Sequence, residues 1–306
     1  MIYFVVRRLA AAVVTLLVLL TLALFLMRAA PGGPLDRERS LPPGIEAALV
    51  AQYRLDAPLW QQYLDYLGAV LRGDLGPSFQ YEGYRVSELI AAGLPVSLLL
   101  GALALVCSLL VGGCAGIIAA VRRGGVLDRI VSVTVLAGMS VPGFVVAPLL
   151  ILLFALTLDV LPAGGWSGDA RELVLPVITL ALPQLAVVAR LLRAELIEVL
   201  DSPHVLAARG RGLPQWRVLL YHALPPALIP VISYLGPAAA GLVTGSVVVE
   251  QIFGIPGIGR YFVQGALNRD YTLVLGVVLL YGVLIVSSNL IVDALYGVLD
   301  PRVRHA

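Results

Sequence analysis

With 59% hydrophobic and only 13% charged residues over 306 positions, and a mean hydropathy of +0.95, the chain is too apolar for a water-soluble domain and reads as an integral membrane protein. Its formal net charge is +2, and its basic residues are spread through loops and span ends, which excludes a nucleic-acid-binding patch. All of those basic residues are arginines; without a lysine the chain cannot build a standard phosphate-binding P-loop.

A helix that crosses the bilayer needs about 20 mostly apolar residues. Six segments reach that length, at about Leu9–Met27, Leu94–Val121, Ile130–Leu158, Leu173–Leu192, Pro226–Val249 and Tyr271–Val298. The fold class expected is therefore an all-α membrane protein with six transmembrane helices. The first segment exceeds the apolar core of a signal peptide and is read as a retained helix, residues 1–29. Residues 30–93 form an outer segment of mixed charge. Within it, Pro58 to Leu71 carries Leu59, Trp60, Tyr63, Leu64, Tyr66, Leu67 and Val70 at helical spacing, as expected of a helix lying flat at the interface. Gly73, Gly76 and Pro77 then mark a turn back toward the membrane. Residues 94–306 hold the other five spans. The two cysteines, Cys107 and Cys114, stand seven apart in one apolar run and are read as small packing residues.

Arginine placement orients the chain. Arg7 and Arg8 precede the first span, Arg122, Arg123 and Arg129 lie between the second and third, Arg193, Arg209, Arg211 and Arg217 between the fourth and fifth, and Arg302 and Arg304 follow the last. By the positive-inside rule these loops and both termini are cytoplasmic.

Chemistry is largely absent from the motifs. There is no metalloprotease HExxH, no GxSxG nucleophile elbow and no EF-hand loop, and His204, His222 and His305 have no cysteine or carboxylate at metal-ligand spacing, so no metal site and no catalytic residue are expected. "GMSVPG" at 138–143 is read as a packing or kink element. Asn289, beside Ser287 and Ser288, is the clearest polar side chain within a span and is assigned to interhelical hydrogen bonding. An ion-coupled carrier usually needs more carboxylates inside the membrane. A hydrolase or receptor-like scaffold needs a polar dyad or a signalling domain. Energy is therefore expected from another chain, with a self-powered carrier or channel as the alternative.

The cytoplasmic loop at about 194–225 departs from the surrounding apolar pattern: "HVLAARGRGLPQWRVLLYHALPPALIP". Ser202 suits an N-cap with Pro203 at the first helical position, and Gly212 suits a C-terminal stop. The small Ala207, Ala208 and Gly212 permit close approach of another body, while Arg209 and Arg211 can reach its acidic groups. A second helix is expected from Pro214, ended by Pro225 and Pro226.

At these residues the sequence resembles the permease subunits of ABC importers. Their signature is Glu-Ala-Ala, three residues, Gly, nine residues, Ile, any residue, Leu-Pro. Here the frame holds Leu206, Ala207, Ala208, Gly212, His222, Leu224 and Pro225, with Leu206 and His222 departing from it, and "ARGRGL", ending at Leu213, is similar to the peptide branch. The resemblance extends to "FVVRRL", "YRLDAPLWQQYLDYL", "GDLGPSF", "LPVSLLLG", "FGIPGIGRYFVQGALNRDY" and "LIVDALYGVLDPRVR". Together these look like the B-type permease subunit of the oligopeptide/dipeptide/nickel group.

That resemblance implies a type I ABC importer permease working as a heterodimer with a second homologous permease. Two ATP-binding subunits would lie beneath it and an extracytoplasmic peptide-binding protein above. ATP and Mg would be bound by those partner subunits, this chain holding no cofactor and contacting lipid but no nucleic acid. Loop residues 203–225 would carry the coupling. The cargo implied is oligopeptide or dipeptide, with nickel chelates or glycan-linked peptides as alternatives within the group. A pathway for peptides of many sequences should be wide and poor in fixed charge. Ser140, Gln184, Thr244 and Asn289, among glycines such as Gly112, Gly113, Gly116, Gly138, Gly241 and Gly245, are its candidate lining.

Overall fold

The computed structural model describes residues 2–29 and 57–299, and side chains for 6–29 and 57–292. The first part of the expected outer segment, 30–56, and the tail with Arg302, Arg304 and His305 lie outside the described residues. Eleven α-helical elements follow in order among those described, with a 3-10 turn at Ala170–Leu173 leading into the sixth: α1 Ile2–Ala29, α2 Leu59–Leu71, α3 Val86–Val121, α4 Val126–Ser140, α5 Gly143–Thr157, α6 Val174–Leu200, α7 Pro203–Gly210, α8 over 215–227, α9 Ile229–Phe253, α10 Ile258–Leu267 and α11 Tyr271–Leu299.

Five of these, α1, α3, α6, α9 and α11, are long and apolar enough to cross a membrane, and the pair α4 and α5 makes a sixth if it is one span. The expected third span is thus two helices joined at a sharp bend. Its halves meet at 106° across Val141 and Pro142. Pro142 has no backbone N–H to continue the ladder, and it biases Val141 to the extended conformation seen there, φ −93° and ψ 119°. Other bounds move as well. α3 begins at Val86, eight residues before the expected start, with Pro95 inside it, and α6 continues to Leu200, so Arg193 stands on a helix instead of in a loop.

The chain divides into two compact units. The first holds residues up to Ser97 and Pro256–Val286. In it, Leu20 and Leu24 of α1 and Leu275 of α11 form a buried cluster against which Tyr63, Tyr66 and Leu67 of α2 pack. The opposite side of α2 leaves Trp60 and Leu64 exposed, so the helix has two apolar faces and only one is used within the unit. Asp270 organises the segment before α11. Its carboxylate accepts from Ser78 Oγ at 2.5 Å, from the backbone N–H groups of Gln80 and Leu273 at 2.9 and 3.1 Å, and from Thr272 Oγ1 at 3.0 Å. It thereby caps α11 and fastens the 77–81 turn to it. The "GIPGIG" stretch lies against α3, where the Ile258 N–H donates to Ser97 Oγ at 2.8 Å and a Cβ on Gly93 would come within 3.0 Å of Ile258 N.

The second unit holds Leu98–Ile255 and the chain from Ser287. Its centre is α6, contacted by α3, α4, α5, α8 and α9. Close approach depends on missing side chains: a Cβ on Gly112 or Gly116 of α3 would lie 2.6 or 2.7 Å from the carbonyl oxygens of Leu185 or Ala189 on α6. These glycines, with Gly138 against Ala186, therefore stand at helix–helix contacts. Within α3, Ser108–Gly112 is a π-helical turn, and Ser108 Oγ donates to the carbonyls of Ala104 and Ala181 at 2.7 and 3.0 Å.

Candidate functional site

The loop between α6 and α9 is a pair of short helices moored to the ends of those two spans. α7 starts as expected, with Ser202 extended at φ −74° and ψ 152° and Pro203 in the first turn. The Ser202 side chain does not cap it, however. Its hydroxyl donates to Val199 O at 2.5 Å and lies 3.0 Å from His204 Nδ1, while His204 Nε2 is 3.3 Å from the carbonyl of His222 on α8. Residues 199, 202, 204 and 222 therefore tie the end of α6 and the start of α7 to α8. α7 ends on Arg211, and Gly212 follows in the left-handed region at φ +78°, its N–H donating to Arg209 O at 2.9 Å.

α8 corrects the expectation that Pro225 and Pro226 end a helix. Gln215–Arg217 is α-helical, Val218–Ala223 is a π turn and Leu224–Ala227 resumes the α-helix through both prolines. The wider turn precedes them, so the missing proline N–H groups fall where the hydrogen-bond ladder is already reset.

Below the loop lies one apolar cluster: Ala120 of α3, Val188, Leu192 and Leu196 of α6, Val205 and Ala208 of α7, Val218, Ala223 and Ala227 of α8, and Val231 of α9. Each valine so enclosed contributes about 1.5–3 kcal/mol against leaving it exposed, which binds the loop helices to α6 and α9 as one body. The structure separates the expected docking residues accordingly. Ala208 is turned into this cluster, Leu213, His222 and Leu224 are half-buried, and Leu206, Ala207, Arg209, Arg211, Gly212 and Pro225 are exposed. Trp216 and Tyr221 extend the exposed surface, edge to face with ring centres 6.4 Å apart. Those two aromatics were not singled out from the sequence, although an exposed Trp and Tyr in a short polar loop were a readable signal.

Two ion pairs brace the same end of the unit. Arg123, in the turn after α3, meets Asp201 at 3.2 Å, both well exposed. Arg193 of α6 grips Asp128 at the start of α4 with Nε at 2.6 Å and Nη2 at 2.9 Å, and the Gly124 N–H adds a third bond at 2.9 Å. Asp128 is 4% exposed, and its pairing was not legible in the sequence because partners 65 residues apart leave no local pattern.

Farther along α6, a cleft of about 300 Å³ opens between the α4–α5 break, α6 and α9, lined by Gly143, Phe144, Thr179, Gln184, Gly241 and Gly245 with apolar neighbours. Gln184 also accepts a hydrogen bond from Tyr234 of α9. Thr244 lies between the two lining glycines and donates to Ala240 O at 2.9 Å. Ser140 is exposed at the end of α4, donating to Leu136 O at 2.8 Å, and Asn289 of α11 stands where a Cβ on Gly236 would be 3.1 Å from its Oδ1. Of the four candidate pathway residues, Gln184 lines the cleft, Thr244 adjoins it, and Ser140 and Asn289 are outside its lining.

Residues 112–305 match the family described as binding-protein-dependent transport system inner membrane component, and residues 1–99 match the N-terminal part of such components. The chain is 48% identical over its full length, and the full length of the relative, to the oligopeptide transport system permease protein OppB of Salmonella typhimurium. It is 39% identical to the dipeptide transport system permease protein DppB of Bacillus subtilis, over 98% of this chain and 97% of that one. Among solved structures, an inward-facing form of the MetNI methionine ABC transporter shares the fold with a TM-score of 0.60 at 19% identity, over 69% of this chain and 96% of that one.

Proposed function

Because the chain belongs to the binding-protein-dependent transport inner membrane components, multi-pass proteins of the bacterial inner membrane, we propose that it is the permease subunit of an ATP-driven importer of oligopeptides. The relatives similar to it over their whole length are named for oligopeptide and dipeptide transport, and that supports the cargo. Hydrolysis belongs to partner chains, since this one supplies neither a P-loop lysine nor a motif for hydrolytic chemistry. A second permease, two ATP-binding subunits and an extracytoplasmic binding protein complete the assembly.

The observation that carries the coupling role is the mooring of the loop. The outward surface of α7 and α8, with Leu206, Ala207, Arg211, Trp216 and Tyr221, is left exposed, while their inner surface is continuous with the cores of α6 and α9. A partner that grips the exposed surface and moves on binding ATP displaces both spans together. The cleft between the α4–α5 break and α6 and α9 opens or closes in response, which is alternating access driven from outside the membrane plane. Gln184 and Thr244 offer amide and hydroxyl groups but no fixed charge, which suits a cargo whose side chains vary.

The test is uptake by the assembled complex with its own binding protein in proteoliposomes. ATP-dependent accumulation of short peptides, abolished by removing either the binding protein or the ATP-binding subunits, is the expected result. Transport of a nickel chelate or a glycan without competition from peptides would overturn the cargo, and solute movement by this chain alone would overturn the coupling.

A further inference from the structure

Arg190 is a charged residue on α6 that neither the loop nor the cleft uses. It lies one turn before Arg193, exposed, and has no hydrogen-bond or ion-pair partner among the described residues. At 1.5 Å per residue it is about 15 Å back from the end of α6, inside a span and yet about 4.5 Å from the level of the Asp128–Arg193 pair. Beside it a groove of about 180 Å³ runs between α4 and α6. Val131, Val135 and Met139 form its apolar wall, and Arg190 and Arg193 are its cationic members. The outer side of α4 continues the apolar surface, with Ile130, Val133 and Leu136 exposed.

We propose that this groove is a binding site for an anionic phospholipid of the cytoplasmic leaflet, its phosphate on the Arg190 guanidinium and part of an acyl chain along α4. A charged arginine within a span is costly unless it finds a partner or reaches the interface, and an anion held beside it meets that requirement. The planar guanidinium matches phosphate oxygens in a paired geometry, and its long stem lets the charge reach toward the interface while the methylenes stay on apolar surface. Asp128 cannot serve, because Arg193 and the Gly124 N–H already occupy its oxygens. The surroundings reinforce the sign: Arg122 and Arg129 are exposed at the same end of the unit, and arginines near the membrane surface attract an anionic leaflet. A peptide laid along the wall of Val131, Val135, Leu136 and Met139 would leave most of its backbone polar groups without partners, Ser132 being the one neutral polar side chain of the lining. Lipid therefore fits both the charge at one end and the apolar wall. The inference rests on the cytoplasmic placement of the arginine-bearing end and not on the identity of the cargo.

The experiment uses the assembled transporter in nanodiscs containing equal amounts of phosphatidylglycerol and phosphatidylcholine, with bound lipid counted by native mass spectrometry after release. The unaltered complex should retain phosphatidylglycerol preferentially, Arg190→Gln should lose one such lipid per complex, and Arg190→Lys should keep about half the retention, with assembly onto the ATP-binding subunits as the check of folding. Should Arg190→Gln fail to assemble, the unaltered complex still decides: a phosphatidylglycerol carrying a photoreactive acyl chain should crosslink to α4 and be competed by unlabelled phosphatidylglycerol but not by phosphatidylcholine. Equal retention in Arg190→Gln, equal crosslinking by the two lipid classes, or crosslinking of α4 to the second permease instead would overturn the proposal. A complex that keeps its lipid count but loses peptide uptake in Arg190→Gln would do so too, by assigning the charge to the cargo. Failure of peptide uptake in the unaltered complex bears on the cargo alone, and the lipid count then tests this site independently.

Discussion

At Gly212 the backbone, not the surrounding space, sets the requirement. Its φ of +78° lies in the left-handed region, and a Cβ placed there would meet nothing within 4 Å. A larger residue therefore strains the turn by about 1–2 kcal/mol without clashing inside this chain, while projecting into the exposed surface that a partner would grip. Gly212→Leu is expected to leave the protein inserted and assembled but to lower uptake about tenfold at undiminished ATP hydrolysis, tenfold being about 1.4 kcal/mol. Wild-type uptake per ATP in that variant would show that the loop is not the lever. The neighbouring alanines give the complementary case. The sequence places Ala207 and Ala208 in one small-residue surface, but the structure turns Ala208 into the moored cluster and leaves Ala207 exposed. Ala208→Leu should overpack that cluster and cost about 1–3 kcal/mol of stability, read as a lower melting temperature. Ala207→Leu should leave the melting temperature unchanged and reduce affinity for the ATP-binding subunits. Equal melting temperatures for the two variants would contradict this division of inner and outer faces.

At the scale of helices, hydropathy locates the spans because a bilayer crossing needs a long apolar run whatever else the run does. It does not locate their internal breaks equally well. "GMSVPG" signals the α4–α5 kink through Pro142, yet nothing in the composition of Ser108–Gly112 or Val218–Ala223 announces a π turn, because that turn shifts hydrogen-bond partners without requiring a particular residue. The glycines of α3 were legible as small residues, but their role depends on which helix faces them. Gly112 and Gly116 face the α6 backbone, where a Cβ would come within 2.6 and 2.7 Å of a carbonyl oxygen, whereas Gly241 and Gly245 of α9 face the cleft. Substitution should separate the two sets. Gly116→Leu must push α3 from α6 and is expected to lower stability by about 1–3 kcal/mol or to block assembly. Gly245→Ala, with no atom within 4 Å of the new methyl, should fold normally and alter uptake through the cleft alone. The Arg193–Asp128 clamp belongs to this scale as well, since it joins α6 to α4. Arg193→Met leaves a buried carboxylate without its cation and should destabilise by about 3–5 kcal/mol, visible as reduced yield of folded protein.

For the whole molecule, orientation is the premise on which the loop, the lipid site and the direction of transport all depend. It is inferred from arginines collecting at one set of span ends, a bias that insertion itself enforces. The partners and the course of the cargo were not readable in the same way. Pairs such as Tyr234 with Gln184 are distant in sequence and are brought together only by packing. The structure also moves Arg193 onto α6, yet Arg122, Arg123, Arg209, Arg211 and Arg217 remain in the turns and short helices between spans. The positive-inside assignment therefore still rests on five arginines at that end. Cysteine labelling tests it in a background where Cys107 and Cys114 are replaced by alanine. Ala170 and Gln215 are both exposed, at opposite ends of α6 by chain order, and Ser40 lies outside the described residues in the segment assigned to the outer side. An impermeant thiol reagent added to intact cells should modify Ala170→Cys and Ser40→Cys, and should reach Gln215→Cys and Arg122→Cys only after the membrane is opened. Labelling in the reverse order would place the loop outside, remove it from any ATP-binding partner, and move the Arg190 groove to the other leaflet.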